Sequence, residues 1–376
     1  MIVFIVVITI VAVVLGSYFI NSSMAISEAY IQSRAEEFAS AKLSAMESYE
    51  KFSDFLFEAI INEPDVTALM AAANRAEAEE LGYLRAELLG RLANFYQIAG
   101  KYGFRQLQFH LPNGDSFLRF HSPTRHGDNL LAFRPSLRII NEEGRYISGF
   151  EEGRIFNGYR YVYPLRHDGL QIGSVEIAIS MSTIIEVLKK IYPQEEIGFI
   201  LQQDYMEAIV FEEEQNRYQP SPLAEGYLFD WEVQAALSAA GNGPVFTSET
   251  HFAEKMREAS EQRLEKGSSF SFLLKHNGED YLAHYYAVEN FEGETKAYIY
   301  SVGLDEQFGV IHTSRNFEIT AVILVYLLML AVVLSNRRNQ KRIYALAMHD
   351  PLTKVYNRHA FFEFAEREVA RSERSG

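Results

Sequence analysis

The sequence predicts an α+β chain in which long N-terminal helices lead into antiparallel sheets, with a transmembrane helix on either side. Three observations carry this reading. Two uncharged apolar runs lie near the two ends. The spacing of apolar residues changes from three-and-four to two near Phe104, which is the change from a helix face to a strand face. Asn-Gly or Asp-Gly pairs then sit between alternating runs, the strongest short-range sign of a hairpin. The 376 residues contain no cysteine, which excludes a disulfide scaffold, a thiolate metal site and a cysteine nucleophile. With 48% hydrophobic and 23% charged residues, the chain can bury a core.

The net charge is −15, but residues 337–376 hold nine Lys/Arg against five Asp/Glu, leaving −19 on residues 1–336. So acidic a body excludes a nucleic-acid-binding surface over most of the chain. The apolar runs explain the asymmetry. Residues 1–20 carry no charge, and the first charged residue is Glu28. This run matches the roughly 20 residues that cross a bilayer. Ser23-Met24-Ala25 resembles a weak cleavage site, yet a signal peptide has a shorter apolar region behind a basic stretch. An uncleaved anchor is therefore expected. Residues 318–336 form the second span, since eighteen uncharged residues lie between Glu318 and Arg337. Arg337, Arg338, Lys341 and Arg342 follow at once, and such a cluster marks the cytoplasmic side. The expected topology is an inner-membrane protein with residues 21–317 periplasmic and the C-terminus cytoplasmic.

Within the exported segment, Ile31, Ala35, Phe38, Ala41, Ala45, Tyr49, Phe52, Leu56 and Ile60 form one stripe of a long helix. Pro64 breaks it, Asp65 is placed to cap a second helix, and that helix runs over about 66–98 with Gly82 and Gly90 as soft spots. Leu107, Phe109 and Leu111 then alternate with Gln106, Gln108 and His110, and the return strand 116–121 follows Asn113-Gly114. Tyr159, Tyr161, Tyr163 and Leu165 alternate before Asp168-Gly169, and Gly173, Val175, Ile177 and Ile179 follow. A helix over 182–192, ended by Pro193, leads to a second strand set at 197–201, 206–211, 270–275, 281–288 and 296–302. The expectation is a distal module over about 100–180 and a proximal module over about 195–305. Residues 212–267 read as polar and irregular apart from a helical patch at 231–239.

A ligand site in such a sheet needs charged or hydrogen-bonding groups among aromatics. Arg119, His121, Arg138, Tyr146, Arg160, Tyr161 and Tyr163 are the candidates. Arginine grips a carboxylate through two parallel hydrogen bonds, and tyrosine supplies a flat wall, so the expected partner is a small, anionic molecule. The opposing reading makes the tyrosines core and the arginines a solvated face. His126 and Asp128 lie near one another in the loop 122–128, which reads as a turn rather than a metal site. No catalytic residue, metal ligand or cofactor is assigned to the chain.

The stretches 107–119 and 161–175 resemble the Cache family of extracellular sensor domains, PAS-like sheets behind a long membrane-proximal helix. The resemblance rests on the Pro112-Asn113-Gly114-Asp115 turn, and on an aromatic-Pro strand (Tyr163-Pro164), an Asp-Gly turn and a strand with an early glycine (Gly173). It implies a PAS-like double sensor.

Beyond the second span, residues 337–349 read as a short signalling helix. Asp350 precedes Pro351 and so ends it, and Asn357 is placed to cap the next helix. Asp350, Leu352, Thr353, Asn357 and Arg358 are similar in identity and spacing to the opening motif of the GGDEF family of diguanylate cyclases, with Lys354-Val355-Tyr356 departing from the usual Gly-Leu-x. The five matched residues take a structural role there. The resemblance implies condensation of two GTP molecules into cyclic di-GMP by a homodimer, with Mg²⁺ in a complete domain. No Gly-Gly dipeptide occurs in the chain, so residues 350–376 are expected to be the start of a truncated GGDEF domain without its catalytic hairpin. The alternatives are the input module of a sensor histidine kinase or chemoreceptor, and a non-enzymatic ligand-binding remnant.

Overall fold

The computed structural model describes residues 2–375 apart from 240, 242 and 244, so Met1 and Gly376, the outer ends of the expected 1–20 and 350–376 segments, lie outside the described residues. The chain forms two compact units, one of Tyr30–Glu306 and one of the two flanking segments.

Helix α1 (Ile2–Leu56) enters the first unit and ends in a π-helical turn at Phe57–Ile61. Glu63, extended as a residue before proline must be, caps α2 (Pro64–Ala73) with Pro64 in its first turn. Asp65 is thus inside the helix and not its cap, in the first turn where the dipole favours an acid. The expected second helix is two, because the chain breaks after Asn74 and resumes as α3 (Ala78–Lys101). Gly82 and Gly90 are interior to α3. Each costs about 1 kcal/mol against alanine, offset by the buried Leu84, Leu88 and Leu92 at four-residue spacing.

The first sheet comprises β1 (Phe104–His110), β2 (Ser116–Arg119), β3 (Ile147–Glu152), β4 (Asn157–His167) and β5 (Leu170–Ile179) in the order β2-β1-β5-β4-β3. All its pairings are antiparallel. Asp168 (φ 50°) and Gly169 (φ 78°) make the two-residue turn between β4 and β5, as expected of an Asp-Gly pair. At Asn113-Gly114 only the glycine has positive φ, 86°. The loop is accordingly wider, closed by Leu111 N–H donating to Asp115 O at 3.0 Å. Gly173 has φ 143°, and a Cβ there would lie 2.2 Å from the His110 carbonyl oxygen. The early glycine of β5 is therefore required by the close approach of β1. Helix α4 (Pro135–Glu143) and strand β3 were not legible, and both pack on the other elements through buried polar groups.

Ser180 caps α5 (Met181–Ile191), its Oγ accepting from Thr183 N–H at 3.3 Å. The second sheet follows with β6 (Glu196–Gln202). Residues 206–211, expected as a strand, are instead the last turn of α6 (Gln203–Ile209), where Met206 alone is buried, and the two extended residues after it. Met, Glu and Ala are helix formers, and so short an apolar run does not declare its period. In the segment expected to be irregular apart from a helical patch, that patch is α7 (Trp231–Ala239), and β7 (Tyr218–Pro220), β8 (Tyr227–Asp230) and α8 (Thr250–Leu264) are present besides. Strands β9 (Phe270–His276), β10 (Glu279–Glu289) and β11 (Thr295–Leu304) complete the order β7-β8-β6-β11-β10-β9. Asn277 and Gly278, with φ 51° and 89°, turn β9 into β10.

In the other unit, α9 (Glu306–Met348) covers both the expected span and the signalling helix, and α10 (Arg358–Ser375) follows. Helix Ile2–Ile61 and helix α9 are each long and apolar enough to cross a membrane, and their apolar windows are almost wholly unburied. Thr9 Oγ1 and the Tyr326 hydroxyl share a hydrogen bond of 3.2 Å. Asp350 Oδ1 accepts from Leu352 N–H (3.0 Å), Thr353 N–H (2.9 Å) and the Thr353 hydroxyl (3.0 Å). These bonds hold its carboxyl below the usual aspartate range. Asn357 Oδ1 caps α10 by accepting from Ala360 N–H at 3.0 Å. Lys354 has φ 60°, a left-handed conformation that glycine adopts without cost.

Candidate functional site

Strand alternation divides the first sheet into an apolar and a polar face. Leu107, Phe109, Tyr161, Tyr163, Val175 and Ile177 join one core with Leu84, Leu88 and Leu92 of α3. Their neighbours Gln106, Gln108, Arg160 and Glu176 point to the opposite face, and all four are buried. A buried charge needs a partner, and here the partners are shared. Arg134, just before α4, donates to both Glu151 and Glu176. Arg160 donates to Glu176, to Glu151 O at 3.0 Å and to Phe156 O at 2.9 Å. Gln106 Nε2 donates to Glu176 at 2.7 Å. Burial opposes ionisation of Glu176, but the guanidinium groups of Arg134 and Arg160 outweigh it and bring its pKa down to about 2. It is an anion at neutral pH.

Arg119 of β2 extends the network. It grips Asp128 through two hydrogen bonds of 2.7 and 2.9 Å and donates a third to Arg125 O at 2.8 Å. Burial raises the Asp128 carboxyl, but Arg119 more than compensates and holds it below its usual range. His121 lies edge-on to Phe156 at 6.2 Å between ring centroids. Burial and then Arg119 push its pKa down to about 4, so the ring is neutral, and its buried Nδ1 has no hydrogen-bond partner among the described residues. These groups line a small polar pocket, a cavity of about 10 Å³, with Gln106, Gln108, Arg134 and the β3–β4 loop residues Gly153, Arg154, Ile155 and Phe156.

Of the seven residues expected to bind ligand, Arg119, His121 and Arg160 line this pocket. The other four do not. Tyr161 and Tyr163 face α1, where their hydroxyls donate to Met46 O (3.3 Å) and Asp54 Oδ1 (2.8 Å). They alternate with Arg160 along β4, so one strand cannot turn all three to one side. Tyr146 lies against Tyr163 with centroids 4.7 Å apart, and its hydroxyl donates to Glu50 at 2.6 Å. Arg138 is exposed on α4 and pairs with Glu292 at 3.0 Å. In the loop 122–128, Asp128 is committed to Arg119 and His126 is exposed. Among the described residues no group of three or more His, Asp or Glu is placed to hold a metal.

Sequence reasoning missed Arg134, Glu151, Arg154 and Glu176. Glu176 had a signal, an acid between Val175 and Ile177 in an otherwise apolar strand. Arg134 and Glu151 had none, because their pairing depends on α4 folding back onto β3.

Residues 42–204 match the family dCache_3, described as the double sensory domain of two-component sensor kinase. The α+β Cache-like fold expected from the sequence is borne out. Among solved structures, the sensory domain of the Campylobacter jejuni chemoreceptor Tlp3 with isoleucine bound is 12% identical, with a TM-score of 0.38 over 76% of this chain and 97% of that one. The sensor domain of the V. cholerae histidine kinase DctB is 11% identical, with a TM-score of 0.39 over 76% of this chain and 99% of that one. The ligand-binding domain of Mlp24 with asparagine is 12% identical, with a TM-score of 0.35 over 77% of this chain and 99% of that one. No curated protein matches the chain.

Proposed function

We propose that the chain is a transmembrane signal receptor whose periplasmic unit binds a small anionic ligand in the polar pocket of the first sheet and regulates a cytoplasmic diguanylate cyclase. The observation that carries the sensing part is the buried arginine-rich pocket inside a segment that matches a sensory family. Two apolar helices and the Arg337, Arg338, Lys341 and Arg342 cluster behind the second support an inner-membrane topology with the C-terminus inside. The cyclase output rests on the loop built by Asp350, Thr353 and Asn357, whose hydrogen bonds give the motif residues a structural role. That loop does not fit a magnesium site, since Asp350 already accepts three hydrogen bonds from its own turn. No step of nucleotide chemistry is assigned to it, and GTP and Mg²⁺ belong to a complete catalytic domain. Such a domain acts as a pair, so the receptor is proposed to be a homodimer in which ligand selects between two packings.

The full chain in lipid nanodiscs, screened by thermal shift against carboxylates, amino acids, amines and sugars, tests the sensing reading. At least one carboxylate should raise the unfolding temperature, and Arg119→Ala should abolish the rise. A panel without any response removes the receptor reading. A sensor kinase is the second reading, favoured by the family description. Its obvious phosphoacceptor, His349, has its ring stacked on Tyr356 at 4.7 Å. Radiolabel from ATP appearing on His349 decides for the kinase, and ligand-dependent cyclic di-GMP in membranes expressing the full reading frame decides for the cyclase.

A further inference from the structure

Four arginines line the pocket, and three of them are already engaged. Arg119 has both oxygens of Asp128, Arg134 has Glu151 and Glu176, and Arg160 has Glu176 and two carbonyls. Arg154, on the β3–β4 loop, makes no side-chain hydrogen bond among the described residues. Its nearest acid oxygen is Asp128 Oδ2 at 3.9 Å, which Arg119 holds. Its Nε is buried and unpartnered, while the side chain is 25% exposed.

What fixes Arg154 is aromatic. The guanidinium lies 4.6 Å from the Phe133 ring centroid and 4.0 Å from that of Phe211, and the Arg154 carbonyl accepts from Phe211 N–H at 3.0 Å. Stacking immobilises the plane of the group and leaves its edge donors unspent. Such a group has already lost much of the rotamer freedom that binding would otherwise cost.

The charges point the same way. Three carboxylates, Asp128, Glu151 and Glu176, face the four guanidinium groups. The fourth acid nearby, Glu152, is fully buried, and its pKa is raised by that burial to about 8, which leaves it neutral at pH 7. One positive charge is in excess. Acceptors are also spoken for, because Gln108 Oε1 takes Gln106 Nε2 at 2.6 Å and Gln106 Oε1 takes Arg160 at 3.4 Å. An ammonium group entering the pocket would find no free carboxylate. The apolar wall is short, supplied by Leu130, Ile155 and Phe156.

We infer that Arg154 is the anion-anchoring residue of this pocket, and that the ligand it selects is a small monocarboxylate without an ammonium group. This rests on the reading of the pocket as the receptor's ligand site. Propionate, L-lactate and L-alanine are the probes, the last two differing by a hydroxyl against an ammonium. They are titrated calorimetrically into the full chain in nanodiscs.

The wild type should bind propionate or L-lactate at least tenfold more tightly than L-alanine. Arg154→Ala should weaken that binding at least tenfold while moving the ligand-free unfolding temperature little, and Arg154→Lys should restore part of it. Should Arg154→Ala prove unstable, Arg154→Gln keeps the stem between the two rings and is read in the same way. Wild-type affinity in the alanine variant, L-alanine binding as tightly as L-lactate, or no binding by any of the three overturns the inference. The receptor reading falls separately, only if the wider panel is also silent.

Discussion

The Tyr218 hydroxyl of β7 donates to the Glu152 carboxyl group of β3 at 3.3 Å, tying the second sheet to the first. Five residues on, Asn157 Nδ2 donates to Asp230 Oδ2 of β8 at 2.6 Å. The loop between Glu152 and Asn157, which lines the pocket, is thus pinned at both ends by the other sheet.

The pin predicts a pH dependence of stability. Burial, opposed by Arg217 and reinforced by Asp230, raises the Glu152 pKa from 4.5 to about 8. The folded chain holds this proton where the unfolded chain has released it, so the contribution is full below pH 4.5 and is lost as pH rises towards about 8. The slope from this one group is at most about 1.4 kcal/mol per pH unit. Glu152→Gln should flatten that limb, so unfolding temperatures of wild type and variant should diverge in the variant's favour between pH 5 and 8. Parallel curves would remove Glu152 as the cause.

Tyr163 separates core from site. Its hydroxyl donates to Asp54 at 2.8 Å and lies within hydrogen-bond distance of the Ser53 hydroxyl at 3.1 Å. Tyr163→Phe should cost about 1–2 kcal/mol in denaturant unfolding and leave the ligand dissociation constant within about twofold of wild type. A large loss of affinity with unchanged stability would return the ring to the site.

Gly173→Ala should be severe. The added carbon would meet the His110 carbonyl at 2.2 Å, in backbone that cannot move without parting β1 from β5. A loss above about 2 kcal/mol is expected. A variant that unfolds at the wild-type temperature would show that the two strands separate easily.

Lys354→Gly should have the opposite sign. With φ at 60°, lysine bears a strain of about 1 kcal/mol that glycine lacks. Digestion by a protease with no lysine preference should cut the 350–357 loop more slowly in the variant. Faster cutting would mean that the loop gains more from a stiff backbone than it loses to strain.

The parts of the fold that repeat a simple period were legible. Alternation at Tyr159, Tyr161, Tyr163 and Leu165 and the turns at Asp168-Gly169 and Asn277-Gly278 fixed hairpins that the structure contains. Elements held by polar burial were not. Strand β3 ends in two acids, Glu151-Glu152, that are both buried, and α8 hides Phe252, Met256 and Leu264 among charges. The site was half legible for the same reason. Aromatics and arginines were recognised as types, but Arg160 and its neighbours Tyr161 and Tyr163 were assigned to one wall, although period two sends them to opposite faces.

That opposition makes β4 a plank with different tenants on its two sides. Arg160 below answers to the acids of the pocket, while Tyr161 and Tyr163 above hold the long helix by its Met46 carbonyl and Asp54. A strand cannot slip by one residue without exchanging rings for charge. A pull on Arg160 is therefore applied to the same backbone that carries the two rings gripping the helix.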